Sequence, residues 1–143
     1  MDIFIPEKRS IIMSRVGHTI TKPELIVRSV LHQMGFRFRL HSKRLPGHPD
    51  IVLPKWKTVI FVHGCFWHRH EECKSGNSVP KSNTVFWESK FERNVARDRR
   101  RINELECLGW RVVIIWECQT RKREELKRLL FEELVLERED VEY

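Results

Sequence analysis

The sequence predicts an α/β fold in which helices flank a mixed central β-sheet, and three observations carry that prediction. Two β-branched apolar runs, residues 58–62 and 110–116, read as central strands. A long amphipathic segment, residues 84–108, separates them, with apolar residues at helical spacing. The whole chain then reads as α-β-β-β-α-β-α without an internal repeat, an order that belongs to layered α/β architectures.

Each element has a local reason. A first helix starts at Thr21, an N-cap residue followed by Pro23 in the first turn and Glu24 at capping-box spacing. Leu25, Val27, Val30, Leu31 and Met34 give it an apolar face, and Gly35 stops it. Residues 36–40 alternate as a half-buried strand does, and residues 45–49, rich in Pro and Gly, form a turn into a strand at 50–53. A second turn at 54–57 leads to the strand at 58–62, and a loop runs on to about residue 83. The long helix turns Phe91, Val95, Ile102, Leu105 and Leu108 inward and ends at Gly109, with Cys107 expected as a buried thiol. After the strand at 110–116, Leu126, Leu129, Leu130 and Leu134 mark a final amphipathic helix.

Composition narrows the function classes. With 143 residues, 41% of them hydrophobic and 33% charged, the chain suits one globular domain at residues 21–138. Residues 1–20 read as a basic arm that orders on a partner, and residues 139–143 as an acidic tail. No apolar run approaches the ~20 residues of a membrane span, and no signal-peptide pattern opens the chain, so a cytoplasmic location is expected. In that reducing setting four cysteines read as metal ligands before disulfides. The net charge is +7, and residues 1–131 alone carry +12 because the last twelve are acidic. Such an excess favours a polyanion, nucleic acid first.

Chemistry concentrates in residues 61–73, where two thiols, three imidazoles and the Phe66-Trp67 pair follow an apolar strand. Cys65, His70 and Cys73 have the spacing of a zinc half-site, and Cys118 at the end of the last strand closes it. His68 competes with His70 as the ligand; His70 is preferred because His68 adjoins the aromatic pair. Metal-free buried cysteines are the alternative. Asp50 opens a strand beside a second buried strand, the skeleton of a restriction-endonuclease-like core in which a carboxylate holds Mg2+ against the phosphate. The second acid and the lysine usual in that core are missing near Val62 and His63, which leaves the Val62 backbone carbonyl as a metal ligand. His63 and His68 then carry the proton chemistry, since neutral imidazole is a competent base near pH 7. Glu24 and Asp98 are the remaining acids in position to assist; a cap and a helix ion pair are their bland alternatives. Phe66, Trp67 and Trp87, set among Arg69, Lys90, Arg93 and Arg97, suit wedging between bases, with buried packing plugs as the alternative, and Met13 offers a second wedge from the arm.

These segments resemble the very-short-patch repair (Vsr) mismatch endonucleases from about Lys8 to Arg138. Leu45-Pro46-Gly47-His48-Pro49-Asp50, the His-Gly-Cys-Phe-Trp-His run from His63, Asn94-Val95-Ala96-Arg97-Asp98 and Trp116-Glu117-Cys118 carry the resemblance. It implies a Mg2+-dependent enzyme that nicks double-stranded DNA 5′ to the T of a T:G mismatch left by 5-methylcytosine deamination. By position, Asp50 and the Val62 carbonyl match the Mg2+ ligands and His68, oriented by Asp98, the general base. His63 and Glu24 match supporting groups of the site. Phe66, Trp67 and Trp87 match intercalating aromatics, and Cys65, His70, Cys73 and Cys118 structural Zn2+ ligands. The chain departs from the family pattern in having Val62 in place of a threonine, and one residue more between His70 and Cys73. An asymmetric mismatch gives no reason for a symmetric dimer, so a monomer is expected. A zinc module that binds distorted DNA without cutting it, and a nuclease of the same fold with another target, are the competing readings.

Overall fold

The computed structural model describes residues 21–136. The basic arm with Met13 and the acidic tail lie outside the described residues. Helix α1 (Lys22–Gln33) begins where Thr21 Oγ1 accepts the Glu24 backbone N–H at 3.3 Å. Gly35, at φ +86°, ends it with the left-handed turn that glycine adopts without strain. Strands β1 (Arg39–Leu40), β2 (Ile51–Leu53) and β3 (Thr58–His63) form an antiparallel meander. The chain then crosses through α2 (Cys65–His68), a loop and α3 (Thr84–Cys107) to β4 (Arg111–Trp116), parallel to β3. A parallel neighbour needs such a crossover, and α3 supplies it. Helix α4 (Arg123–Phe131) follows and widens into a π-helical turn over Glu132–Leu136.

The strand order is β1-β2-β3-β4, a mixed sheet as expected, with helices on both faces. Period-two alternation sorts the side chains. Ile51, Leu53, Ile60, Val113 and Ile115 face α1 and α4, where Val27, Leu31, Leu126 and Leu130 meet them. Val52, Val59 and Phe61 face the other way and pack on Leu105 of α3. Fully burying such aliphatic side chains stabilises the fold by about 1.5–3 kcal/mol each.

Several expectations need correction. The strand expected at 36–40 shrinks to two residues, because Phe36 turns under the sheet against Trp56, ring centroids 5.3 Å apart. Leu25 is 41% exposed, since it lies about 200° around the helix from Val27. Cys107 is exposed for the same reason, two positions beyond the buried Leu105. Leu108, in the cap of α3, is 56% exposed. The loop expected up to residue 83 contains α2 and a 3-10 turn at Ser75–Asn77.

Candidate active site and metal centres

The C-terminal end of β3 and the start of β2 meet α3 around a cavity of about 180 Å³. Asp50, Val62, His63, His68, Asp98 and Arg101 are among its lining residues. Asp50 sits at the mouth of β2, where its Oδ2 accepts the Val62 N–H at 2.8 Å. Burial pushes the Asp50 carboxyl up to about 6; the Val62 N–H opposes this and the nearby Glu24 adds to it. Behind Asp50, the Glu24 carboxylate accepts from Arg28 Nη2 at 2.5 Å and lies 3.1 Å from His41 Nε2. Burial also raises the Glu24 carboxyl, against the pull of the Arg28 charge.

Across the cavity His68 Nδ1 and Asp98 Oδ2 are 2.6 Å apart. Burial opposes ionisation of Asp98, but the hydrogen bond and charge of His68, with His63 and Arg97, outweigh it and hold the carboxyl below its ordinary value. An ionised carboxylate only accepts, so His68 Nδ1 donates, and in the neutral ring that leaves the lone pair on Nε2. The His63 ring stacks on His68, centroids 3.9 Å apart and 8° from parallel. Burial, then the neighbouring His68, hold His63 down to about 3, so it stays neutral. Its Nδ1 is buried without a hydrogen-bond partner among the described residues.

Cys65, His70, Cys73 and Cys118 place their ligand atoms within 4.8 Å of one another. His70 Nδ1 lies 3.7 Å from Cys65 Sγ and 3.4 Å from Cys118 Sγ. Ligands on a tetrahedral zinc ion with Zn–S near 2.3 Å and Zn–N near 2.0 Å are about 3.5–3.8 Å apart, so the donor set fits zinc. Burial pushes the Cys65 thiol up to about 12, so ionising it calls for a cation. At Cys73 burial works the same way but is outweighed by the Gly76 N–H, Cys65 and the Ser75 N–H, and the thiol sits below its ordinary value. His68 is not in this cluster; it faces Asp98. At Gly76 a Cβ would stand 1.9 Å from the His70 carbonyl oxygen, so the loop closes only with glycine there. The His70 ring stacks on Trp116 at 4.3 Å, and the edge of Trp116 abuts His63 at 5.3 Å. One column of rings therefore joins the thiol cluster to the His68–Asp98 pair.

A shelf of aromatics adjoins the cavity. Phe66 and Trp67 ride on α2 and Trp87 on the first turn of α3, with centroids 5.2–6.0 Å apart. Asn94 Nδ2 donates to the Trp67 carbonyl at 3.2 Å and ties the two helices. Trp67 is 45% exposed, Lys90 Nζ lies 5.2 Å over its ring, and the Arg69 guanidinium covers Phe91 at 3.9 Å. Phe86 extends the shelf and is 54% exposed. The sequence reading missed Phe86, Arg28 and His41. Phe86 had a legible signal beside Trp87; His41, nine residues before Asp50, had none.

The family's sequence model, described as DNA mismatch endonuclease Vsr, matches residues 1–75. The chain belongs to the Vsr family. Escherichia coli K12 DNA mismatch endonuclease Vsr is 44% identical over 125 residues, covering 87% of this chain and 79% of the relative. A type II nicking enzyme of Neisseria meningitidis serogroup A is 47% identical over 135 residues, covering 92% and 95%. Among solved structures, the catalytic domain of homing endonuclease I-Bth0305I matches with a TM-score of 0.54 at 22% identity. It covers 79% of this chain and 93% of that domain, a likeness of fold. This Vsr-family chain is therefore a DNA endonuclease with an α/β fold. Among the described residues no helix is long and apolar enough to cross a membrane.

Proposed function

We propose that this enzyme is a very-short-patch mismatch endonuclease that nicks double-stranded DNA 5′ to the T of a T:G mismatch. The observation that carries the reading is the shared cavity: Asp50 on one wall, and the His68–Asp98 pair on the other. Asp50 and the Val62 carbonyl, backed by Glu24, fit a Mg2+ ion in a restriction-endonuclease-like core. When bound, that ion supplies positive charge against the non-bridging phosphate oxygens.

The remaining steps belong to side chains. His68 Nε2 takes the proton of the attacking water as its oxygen adds to phosphorus; the P–O bond to the leaving strand breaks, and the departing oxygen takes a proton from solvent water. Asp98 keeps the Nδ1 proton in place and stabilises the imidazolium that forms. Neutral His63 stacks behind His68 and limits its rotation without adding a competing charge. Arg101 lines the cavity, where its guanidinium would pair with the phosphate. Phe66, Trp67 and Trp87 wedge into the duplex beside the mismatch, where unstacking costs less than in paired DNA. Cys65, His70, Cys73 and Cys118 would hold a structural Zn2+ that fixes α2, which carries His68.

The relatives named as type II nicking enzymes favour a close second reading, the same nick in another sequence context. The test is a nicking assay on end-labelled T:G duplexes with varied flanks, with and without Mg2+, beside matched duplexes. A metal-dependent nick 5′ to the mismatched T, absent from matched DNA, is expected. Cutting of matched DNA would remove the mismatch role, and tight binding without any nick would turn the protein into a binding module.

A further inference from the structure

Beside Asp50 and Glu24 stands His41, a residue that the proposed reaction leaves unused. Glu24, His41 and Asp50 each offer a ligand atom, all within 4.8 Å of one another. Arg28 Nη2 donates to Glu24 Oε2 at 2.5 Å and lies 3.0 Å from His41 Nε2. His41 Nε2 also lies 3.1 Å from Glu24 Oε2, so this nitrogen accepts from Arg28 in the tautomer that carries its lone pair and donates to Glu24 when it carries a proton; the first is the form that can ligate a metal. One cationic nitrogen thus bridges a carboxylate and an imidazole lone pair, the position a metal ion would take with the same donors.

The backbone holds His41 there. Its N–H donates to the Asp50 carbonyl at 3.1 Å, so both residues are fixed by the same strand pair. Its φ of +48° is left-handed, a strain of order 1 kcal/mol for a residue with a side chain.

We propose that His41 is a direct nitrogen ligand of the divalent cation held by Asp50 and Glu24, and that this ligand biases the centre toward first-row transition metals such as Mn2+ over Mg2+. The inference rests on Asp50 being a metal ligand, as in the reading above. The chemical reason is donor type. Mg2+ takes oxygen ligands and dehydrates reluctantly, whereas imidazole nitrogen raises affinity for transition ions along the Mn2+, Fe2+, Co2+ series. Binding requires Arg28 to give up its contact with His41 Nε2; it can keep one with Glu24.

The test is pulsed EPR of Mn2+ added to the zinc-loaded full-length enzyme, comparing wild type, His41→Gln and Asp50→Asn. Nitrogen modulation on the Mn2+ signal is expected in wild type and not in His41→Gln. Calorimetry should show the Mn2+ Kd rising roughly tenfold or more in His41→Gln, a loss that even outer-sphere partners of a ligand produce. The Mg2+ Kd should change much less. Asp50-dependent Mn2+ binding without nitrogen modulation, or modulation that survives in His41→Gln, overturns the His41 assignment and leaves Asp50 in place. Mn2+ binding indifferent to Asp50→Asn overturns the reading beneath it. Each variant is checked for wild-type far-UV circular dichroism and zinc content. Should His41→Gln fail that check, His41→Asn and the wild-type spectrum decide the matter.

Discussion

Replacing Asp50 by asparagine should stabilise the metal-free protein at neutral pH and leave it unchanged in acid. The Asp50 carboxyl is raised from 3.8 to about 6, chiefly by burial. The folded state therefore holds this proton more tightly than the unfolded chain. Its contribution to stability is present below pH ~4 and is lost as pH rises through ~6. A shift of about two units corresponds to ~3 kcal/mol. Asp50 lines a cavity that solvent can enter, and screening brings the expected figure to about 2 kcal/mol. In Asp50→Asn the side-chain amide oxygen would still accept the Val62 N–H, so the variant loses the charge and keeps the hydrogen bond. Glu24 is raised as well, and the two carboxyls titrate as a pair, so the window reports the pair. The assay is urea unfolding of zinc-loaded wild type and Asp50→Asn, followed by circular dichroism from pH 4 to pH 8 without Mg2+. The gap should open from near zero to about 2 kcal/mol, and Mg2+ should close it by stabilising wild type alone. Parallel curves at every pH would refute the argument that buried charge at this site costs stability.

Three further outcomes are expected. Asp98→Asn removes the carboxylate charge that holds the His68 Nδ1 proton and stabilises the imidazolium, and it should lower kcat by about 10²–10⁴-fold; single-turnover nicking with unchanged DNA binding would show this, and a loss below tenfold would count against it. Gly76→Ala drives a Cβ into the His70 backbone and should lose stoichiometric zinc by elemental analysis, together with a large drop in Tm. Full zinc content in that variant would mean the loop can relax. Trp67→Ala should weaken T:G duplex binding by about 1–3 kcal/mol, with a smaller loss on matched DNA; equal losses would make Trp67 a packing residue.

Much of this arrangement was legible because its signals are local. The β-branched runs at β3 and β4, the Thr21 cap and the stop at Gly35 each follow from neighbours in sequence, and each stands where it was expected. The clustering of Cys118 with Cys65, His70 and Cys73 was legible from ligand chemistry and strand order. What escaped was set by tertiary packing. Phe36 left its strand for Trp56, and Cys107 and Leu25 fell on the wrong side of helices whose apolar faces are narrow. Arg28 meets Glu24 at i,i+4 on α1, a pair the helix spacing encodes, whereas His41 reaches Glu24 only because β1 returns the chain to α1.

The ring column from His70 through Trp116 to His63 and His68 has a bearing on how this nuclease fails. With Zn2+ bound as proposed, oxidation of Cys65 or Cys118 would release His70, and the loosened ring would leave Trp116 free to tilt. His63 rests on that indole and His68 on His63, so their alignment would go before the sheet itself gives way. On the proposed assignment of His68, such damage would stop cutting while the sheet and the basic residues around the cavity stay in place.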